Sequence, residues 1–160
     1  MPPVAGCSGP SARAVAGGLL LLCLAGLGGT ARADDAADEV FFRRASACAA
    51  VLKRDVLAMK ARFQGGDQQL RAQMLQLTEQ SFAFVGTAYK RGLRSPRADQ
   101  LLDEAEAAQQ RQAPAALRRL SSECQAEGGR LMTEANVIER ALVRNRARAR
   151  LQHWLAPPAS

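Results

Sequence analysis

From residue 35 onward the apolar positions of this chain step by three and four, the spacing of one helix face, and no window alternates apolar with polar residues as a half-buried strand would. The first such stretch runs from about Asp35 to Phe63 and places Phe41, Ala45, Cys48, Leu52, Val56, Met59 and Phe63 on one stripe. Acids at 34, 35, 38 and 39 stand near its start, where the helix dipole favours negative charge, and Gly65-Gly66 is expected to stop it. A second helix is predicted from an N-cap at Asp67 to Arg91. It carries two stripes, one of Leu70, Met74, Leu77, Ser81, Phe84 and Ala88 and one of Leu75, Phe82, Val85 and Tyr89, so it should touch two neighbours. Gly92 is placed to be its C′ residue.

Ser95-Pro96 predicts the start of a third helix, with the serine as N-cap and the proline at N1. Its buried side is small, built from Ala98, Leu101, Leu102, Ala105 and Ala108, and Pro114 either ends it or begins the next helix. The fourth stripe is long: Leu117, Leu120, Cys124, Gly128, Leu131, Ala135, Ile138 and Leu142. Its phase persists across Gly128-Gly129, which predicts one continuous helix with a close helix contact at the glycines. Beyond Leu142 the apolar face drifts to Val143, Ala147, Leu151 and Trp154 before Pro157-Pro158 ends the pattern. Short connections between four such helices favour an all-α, up-down-up-down four-helix bundle over residues 34–156, with a long C-terminal helix and a disordered tail at 157–160.

Before this pattern lies a different one. Ala14 to Gly29 is a run without a charged residue, centred on Leu19 to Leu22, preceded by Arg13 and followed by Ala31-Arg32-Ala33. That order of basic, apolar and small-x-small segments is that of a cleavable secretory signal peptide over residues 1–33, with Asp34 as the new N-terminus. The run falls short of the roughly 20 apolar residues that a bilayer-spanning helix needs. Lysine occurs only at 53, 60 and 90 while alanine, arginine and leucine abound, a bias of GC-rich bacterial genomes. Export then means the periplasm or secretion.

Removing the leader changes the cysteine count. Cys7 and Cys23 leave with it, and Cys48 and Cys124 remain in an oxidising compartment, where a disulfide is expected. In the predicted bundle the first and fourth helices are antiparallel neighbours. Cys48 then lies about 22 Å from one end of the first helix and Cys124 about 15 Å from the matching end of the fourth, so the two thiols share a level.

Catalytic chemistry finds little to build on. The only histidine, His153, lies near the end of the chain, so Ser81, Ser121 and Ser122 have no Ser-His-Asp arrangement. No CxxC, HxxxH, ExxH or CxxCH spacing points to a metal or covalent haem, and Met59, Met74 and Met132 sit where core filler is expected. Asp99, Asp103, Glu104 and Glu106 read as a solvated face of the third helix. No enzymatic activity, cofactor or metal is therefore expected.

Charge supplies the one candidate surface. Without the leader's Arg13 and Arg32 the net charge falls from +7 to +5, and the segment 137–160 carries +4 of it through Arg140, Arg144, Arg146, Arg148 and Arg150 against Glu139. In the predicted bundle, Lys90, Arg91, Arg94 and Arg97 of the second loop lie beside this group and complete a basic pole. The anions that fit an exported protein are anionic lipid or an acidic protein. Nucleic acid is not expected, since Trp154 alone would offer a stacking surface there. The chain thus reads as a small exported helical binding or interaction protein. The alternatives are a periplasmic stress or chaperone-like factor using exposed apolar surface on the second helix, and an enzyme of unrecognised type with a deep polar pocket.

Overall fold

The computed structural model describes residues 29–156, with side chains from Asp35 onward. Most of the expected leader and the whole expected tail at 157–160 lie outside the described residues. Five helices form, and no strand among the described residues: α1 (Gly29–Gln64), α2 (Leu70–Lys90), α3 (Arg97–Gln110), α4 (Pro114–Glu134) and α5 (Val137–Leu155). The described residues are all-helical as their periodicity predicts, but with five helices in place of four.

The α1–α2 hairpin turns on Gly66, whose φ of +108° is open to glycine at little cost. Gly66 N–H donates to the Phe63 carbonyl and Asp67 N–H to the Arg62 carbonyl, the paired bonds of a Schellman stop. Asp67 therefore belongs to the end of α1, where its carboxylate also pairs with Arg62 at 2.8 Å, and is not the N-cap expected for the second helix. Gly92 ends α2 by the same device, with φ +106° and with Leu93 N–H donating to the Ala88 carbonyl. Ser95 is likewise not the N-cap of α3. Its hydroxyl lies 2.9 Å from the Tyr89 hydroxyl, and the helix starts two residues later. Pro114 opens α4, as one of its two expected roles.

The core follows the predicted stripes. Cys48, Leu52, Val56, Met74, Phe84 and Cys124 are almost fully buried where α1, α2 and α4 meet. α4 approaches through small residues, since Ser121, Cys124 and Gly128 are its buried positions. A Cβ on Gly128 would stand 2.8 Å from Gln80 Cβ and 3.3 Å from Phe84 Cε2, so the close helix contact expected at the glycines is real and α4 runs straight through it. The disulfide forms: Cys48 and Cys124 are bonded, with Cα atoms 5.2 Å apart. Around it α4 runs antiparallel to α1, shown by Ser121 against Asp55 at one end and Glu127 against Arg44 at the other.

The remaining helices flank this centre. α3 lies along α1, tied by Gln109 Nε2 donating to the Ala47 carbonyl at 2.9 Å and by Lys53–Glu106 at 2.7 Å. α5 lies antiparallel along α2. α2 and α3, consecutive in the chain, barely touch. This pairing differs from a bundle in which each helix packs on the next.

The long fourth helix was expected to continue through Ala135 into the arginine-rich segment. It breaks at Ala135 and Asn136, both in extended conformation. The physical cause is a capping box. Glu139 N–H donates to Asn136 Oδ1 at 2.9 Å and Asn136 N–H donates to Glu139 Oε2 at 3.0 Å, which satisfies two otherwise orphaned amides and starts a new helix. Arg140 closes the other side of the break by donating to the carbonyls of Thr133 and Ala135 at the end of α4.

Candidate anion-binding surface

The break rotates everything after it. Ala147 and Leu151 become the buried positions of α5, joined by half-buried Trp154 and Leu155, so the residues read as a drift of the old stripe form the true inner face. Ile138 and Leu142, expected in the core, turn outward and are 74 % and 50 % exposed, beside Val137 at 73 %. These are large apolar side chains left in water on an exposed helix, and the sequence pattern placed them inside.

The nine predicted cations separate into two groups. The loop group is held internally. Lys90 Nζ lies 2.6 Å from Glu139 Oε1. Arg91 pairs with Asp38 at 2.6 Å, and its guanidinium sits 4.2 Å over the Phe41 ring, a cation–π contact. Arg94 donates to the Tyr89 and Leu93 carbonyls at 2.8 and 2.7 Å, which relieves carbonyls at the end of α2. Arg97 bonds Glu39. Asp38 and Glu39 of α1 thus face this loop.

The helix group runs the length of α5 and does not gather with the loop at one pole. Antiparallel packing on α2 is the reason. Glu139 meets Lys90 at the end of α2, Arg144 reaches Glu79 in its middle at 4.0 Å, and Arg148 lies near Arg71 and Leu75 at its start. The long C-terminal helix expected from the uninterrupted stripe is accordingly two helices, the second lying back along α2. Arg140 serves the α4 terminus. Arg146, Arg148 and Arg150 are exposed, with no carboxylate within 4 Å among the described residues.

Helical spacing orders this outer face. Ile138, Leu142, Asn145 and Ala149 fall on one strip at i, i+4, i+7 and i+11. Arg148 flanks it on one side and Arg146 and Arg150, at i, i+4, on the other, while Arg144 turns toward Glu79 of α2. Apolar side chains set among long cations can rest on a membrane interface, where arginine stems extend the apolar contact and their heads reach phosphates. The signal that would have revealed it is Asn136-x-x-Glu139, a start sequence inside an apparently continuous stripe.

The carboxylates that bind the loop are tuned by it. The hydrogen bond from Arg97 holds the Glu39 carboxyl below its ordinary 4.5, with Arg43 adding to the effect. The hydrogen bond from Lys90, then that of the Asn136 amide, lowers Glu139 likewise. A carboxylate depressed in the folded state contributes stability that is present above its unfolded value and lost as pH falls through the folded one. The first turn of α5 is therefore expected to lose amide protection, corrected for intrinsic exchange, as pH drops below about 4.5. Amides near Cys48 should keep theirs, because no such carboxylate supports them. Hydrogen exchange at several pH values measures both, and a flat α5 profile would remove Glu139 as its anchor.

Elsewhere the polar chemistry is structural in form. Ser121 donates to Asp55 and accepts from Gln125 Nε2 at 3.0 Å, with no histidine near. Glu104 and Glu106 pair with Arg43 and Lys53, so part of the third helix's acidic face holds α3 onto α1. His153 is exposed. Among the described residues no three His, Cys, Asp or Glu side chains converge as a metal site, and no helix is long and apolar enough to cross a membrane. No protein-family model matches the sequence, and no curated protein or solved structure shows significant similarity to it.

Proposed function

We propose that this chain is a small exported helical interaction protein, without enzymatic activity, that docks reversibly on anionic lipid surfaces through the outer face of α5. The observation that carries the reading is the exposure of Ile138 and Leu142 on a face flanked by Arg146, Arg148 and Arg150. The buried disulfide is compatible with an oxidising compartment, and the leader-like pattern at 1–33 supports export. The loop cations Lys90, Arg91, Arg94 and Arg97 orient α1, α3 and α5 and leave the lipid contact to Arg146, Arg148 and Arg150.

Each basic residue near an anionic membrane is worth about 1 kcal/mol, an attraction that fades within a Debye length. The chain from Asp34 onward is expected to co-sediment with phosphatidylglycerol-containing vesicles at low salt, less at high salt, and weakly with phosphatidylcholine alone. Arg146→Gln/Arg150→Gln should weaken binding by roughly tenfold or more. Ile138→Ser/Leu142→Ser should weaken it while leaving its salt dependence in place. Equal sedimentation of all three proteins, or of none, would sink the proposal. A chaperone-like role draws on the same exposed apolar side chains; suppression of client aggregation without lipid, lost in Ile138→Ser/Leu142→Ser, would favour that reading instead.

A further inference from the structure

At the opposite end of α5 from its cap, a groove of about 410 Å³ opens against the start of α2 and the last turn of α1. Phe63, Leu75, Leu151 and Leu155 supply its apolar lining, and Arg71 and Arg148 supply its charge. Its volume falls within the range of roughly 300–1,000 Å³ typical of small-molecule sites. Both arginines are exposed, and neither has a carboxylate within 4 Å among the described residues. The other arginines that face a neighbouring helix do have partners: Arg44 pairs with Glu127, Arg91 with Asp38 and Arg144 with Glu79.

We propose that this groove binds a single-chain amphiphile with an anionic headgroup, represented by a long-chain carboxylate. The acyl chain would lie on Phe63, Leu75, Leu151 and Leu155, with the carboxylate between Arg71 and Arg148. Two like charges at one apolar groove repel until an anion joins them, and the guanidinium fork matches a carboxylate with two parallel hydrogen bonds. A neutral alkyl chain would leave that charge unmatched, and a small anion would leave the phenylalanine and leucines wet. The groove shares Arg148 with the lipid-docking face, but the apolar residues of that face, Val137, Ile138 and Leu142, take no part in it.

Trp154, the only tryptophan of the chain, adjoins the groove residue Leu155 and supplies a fluorescence signal. Titration with dodecanoate, dodecanol and acetate, kept below micellar concentrations and repeated by calorimetry, tests the proposal. Dodecanoate is expected to bind saturably with one molecule per chain, dodecanol at least roughly tenfold more weakly, and acetate not measurably. Arg71→Gln/Arg148→Gln, two exposed positions whose variant should keep the far-ultraviolet spectrum, should weaken dodecanoate by roughly tenfold and leave dodecanol unchanged. Ile138→Ser/Leu142→Ser should bind dodecanoate as the wild type does, whatever its behaviour with vesicles. Equal affinity for dodecanoate and dodecanol, undiminished dodecanoate binding by the double-glutamine variant, or absence of saturable binding would each overturn it. So would binding seen only when the chain is cut after Ala156, since the groove would then belong to the C-terminal segment.

Discussion

A chain with both Cys48 and Cys124 replaced by alanine is expected to melt about 15–25 °C below the wild type. The bond joins residues 76 apart in sequence, and closing a loop of that length removes about 4–5 kcal/mol of conformational freedom from the unfolded chain in the entropy model. A domain of this size is stable by about 5–15 kcal/mol in total, so the loss is a large share. The structure adds a local reason. The buried positions of α4 are Ser121, Cys124 and Gly128, small side chains that let it come close but bury little apolar area. Without the bond, α4 keeps the Gly128 contact with α2, the Ser121–Asp55 hydrogen bond and the Arg44 ion pairs with Glu123 and Glu127. Exposed ion pairs of that kind contribute about 1 kcal/mol or less each. Thermal melts of the wild type with and without reductant, and of the double-alanine variant, measure the effect. A shift below about 5 °C would show that α4 is held by packing alone.

Phe84→Ala is expected to cost about 3–5 kcal/mol, the range for emptying a buried phenylalanine site. Phe84 is fully buried and belongs to the core cluster that joins α1, α2 and α4. Its ring edge lies 3.3 Å from where a Gly128 Cβ would stand, so glycine and phenylalanine form one fitted crossing. Removing the ring leaves a void that the close approach of the Gly128 backbone to the Gln80 side chain resists closing. Val85→Ala, one residue on but 36 % exposed, should cost about 1 kcal/mol or less, since part of its surface stays in water and alanine is the better helix former. Urea unfolding followed by circular dichroism compares the two. Similar midpoints would mean that the α2–α4 crossing is not a centre of the core.

Particular residues show what could be read in advance. The α1 stripe from Ala45 through Cys48 and Leu52 to Val56 is buried as its spacing predicts, as are Met74 and Phe84 on α2. The Cys48–Cys124 bond and the passage of α4 through Gly128-Gly129 were also legible. Ile138 and Leu142 were misread because periodicity records phase without recording interruption. Seven residues separate Leu131 from Ile138, close to two helical turns, so the stripe looks unbroken whether or not the backbone is. The competing signal was local, Asn136 capping the amide of Glu139, and it outweighed the pattern. Asp67 and Ser95 were misread for a related reason. A good capping side chain marks a turn, but the Schellman bonds at Gly66 and Gly92 had already set where each preceding helix stops.

Sequence alone determined that the described residues are helical, that one stripe of α1 and one of α2 are buried, and which two cysteines join. Helix and stripe follow from spacing along the chain, and the cysteine pair from the count left once the expected leader is set aside. Tertiary structure alone decided what the charges do. Lys90, Arg91 and Arg97 look like part of a basic cluster in one dimension, yet Glu139, Asp38 and Glu39 meet them from other helices. The outward turn of Ile138 and Leu142 was decided there as well. Where a helix face points depends on the angle at which the next helix leaves its turn, and that angle is fixed by the capping box and by Ala147 and Leu151 finding α2. Residue spacing carries periodicity within a helix, but it carries no record of which helix lies across from it.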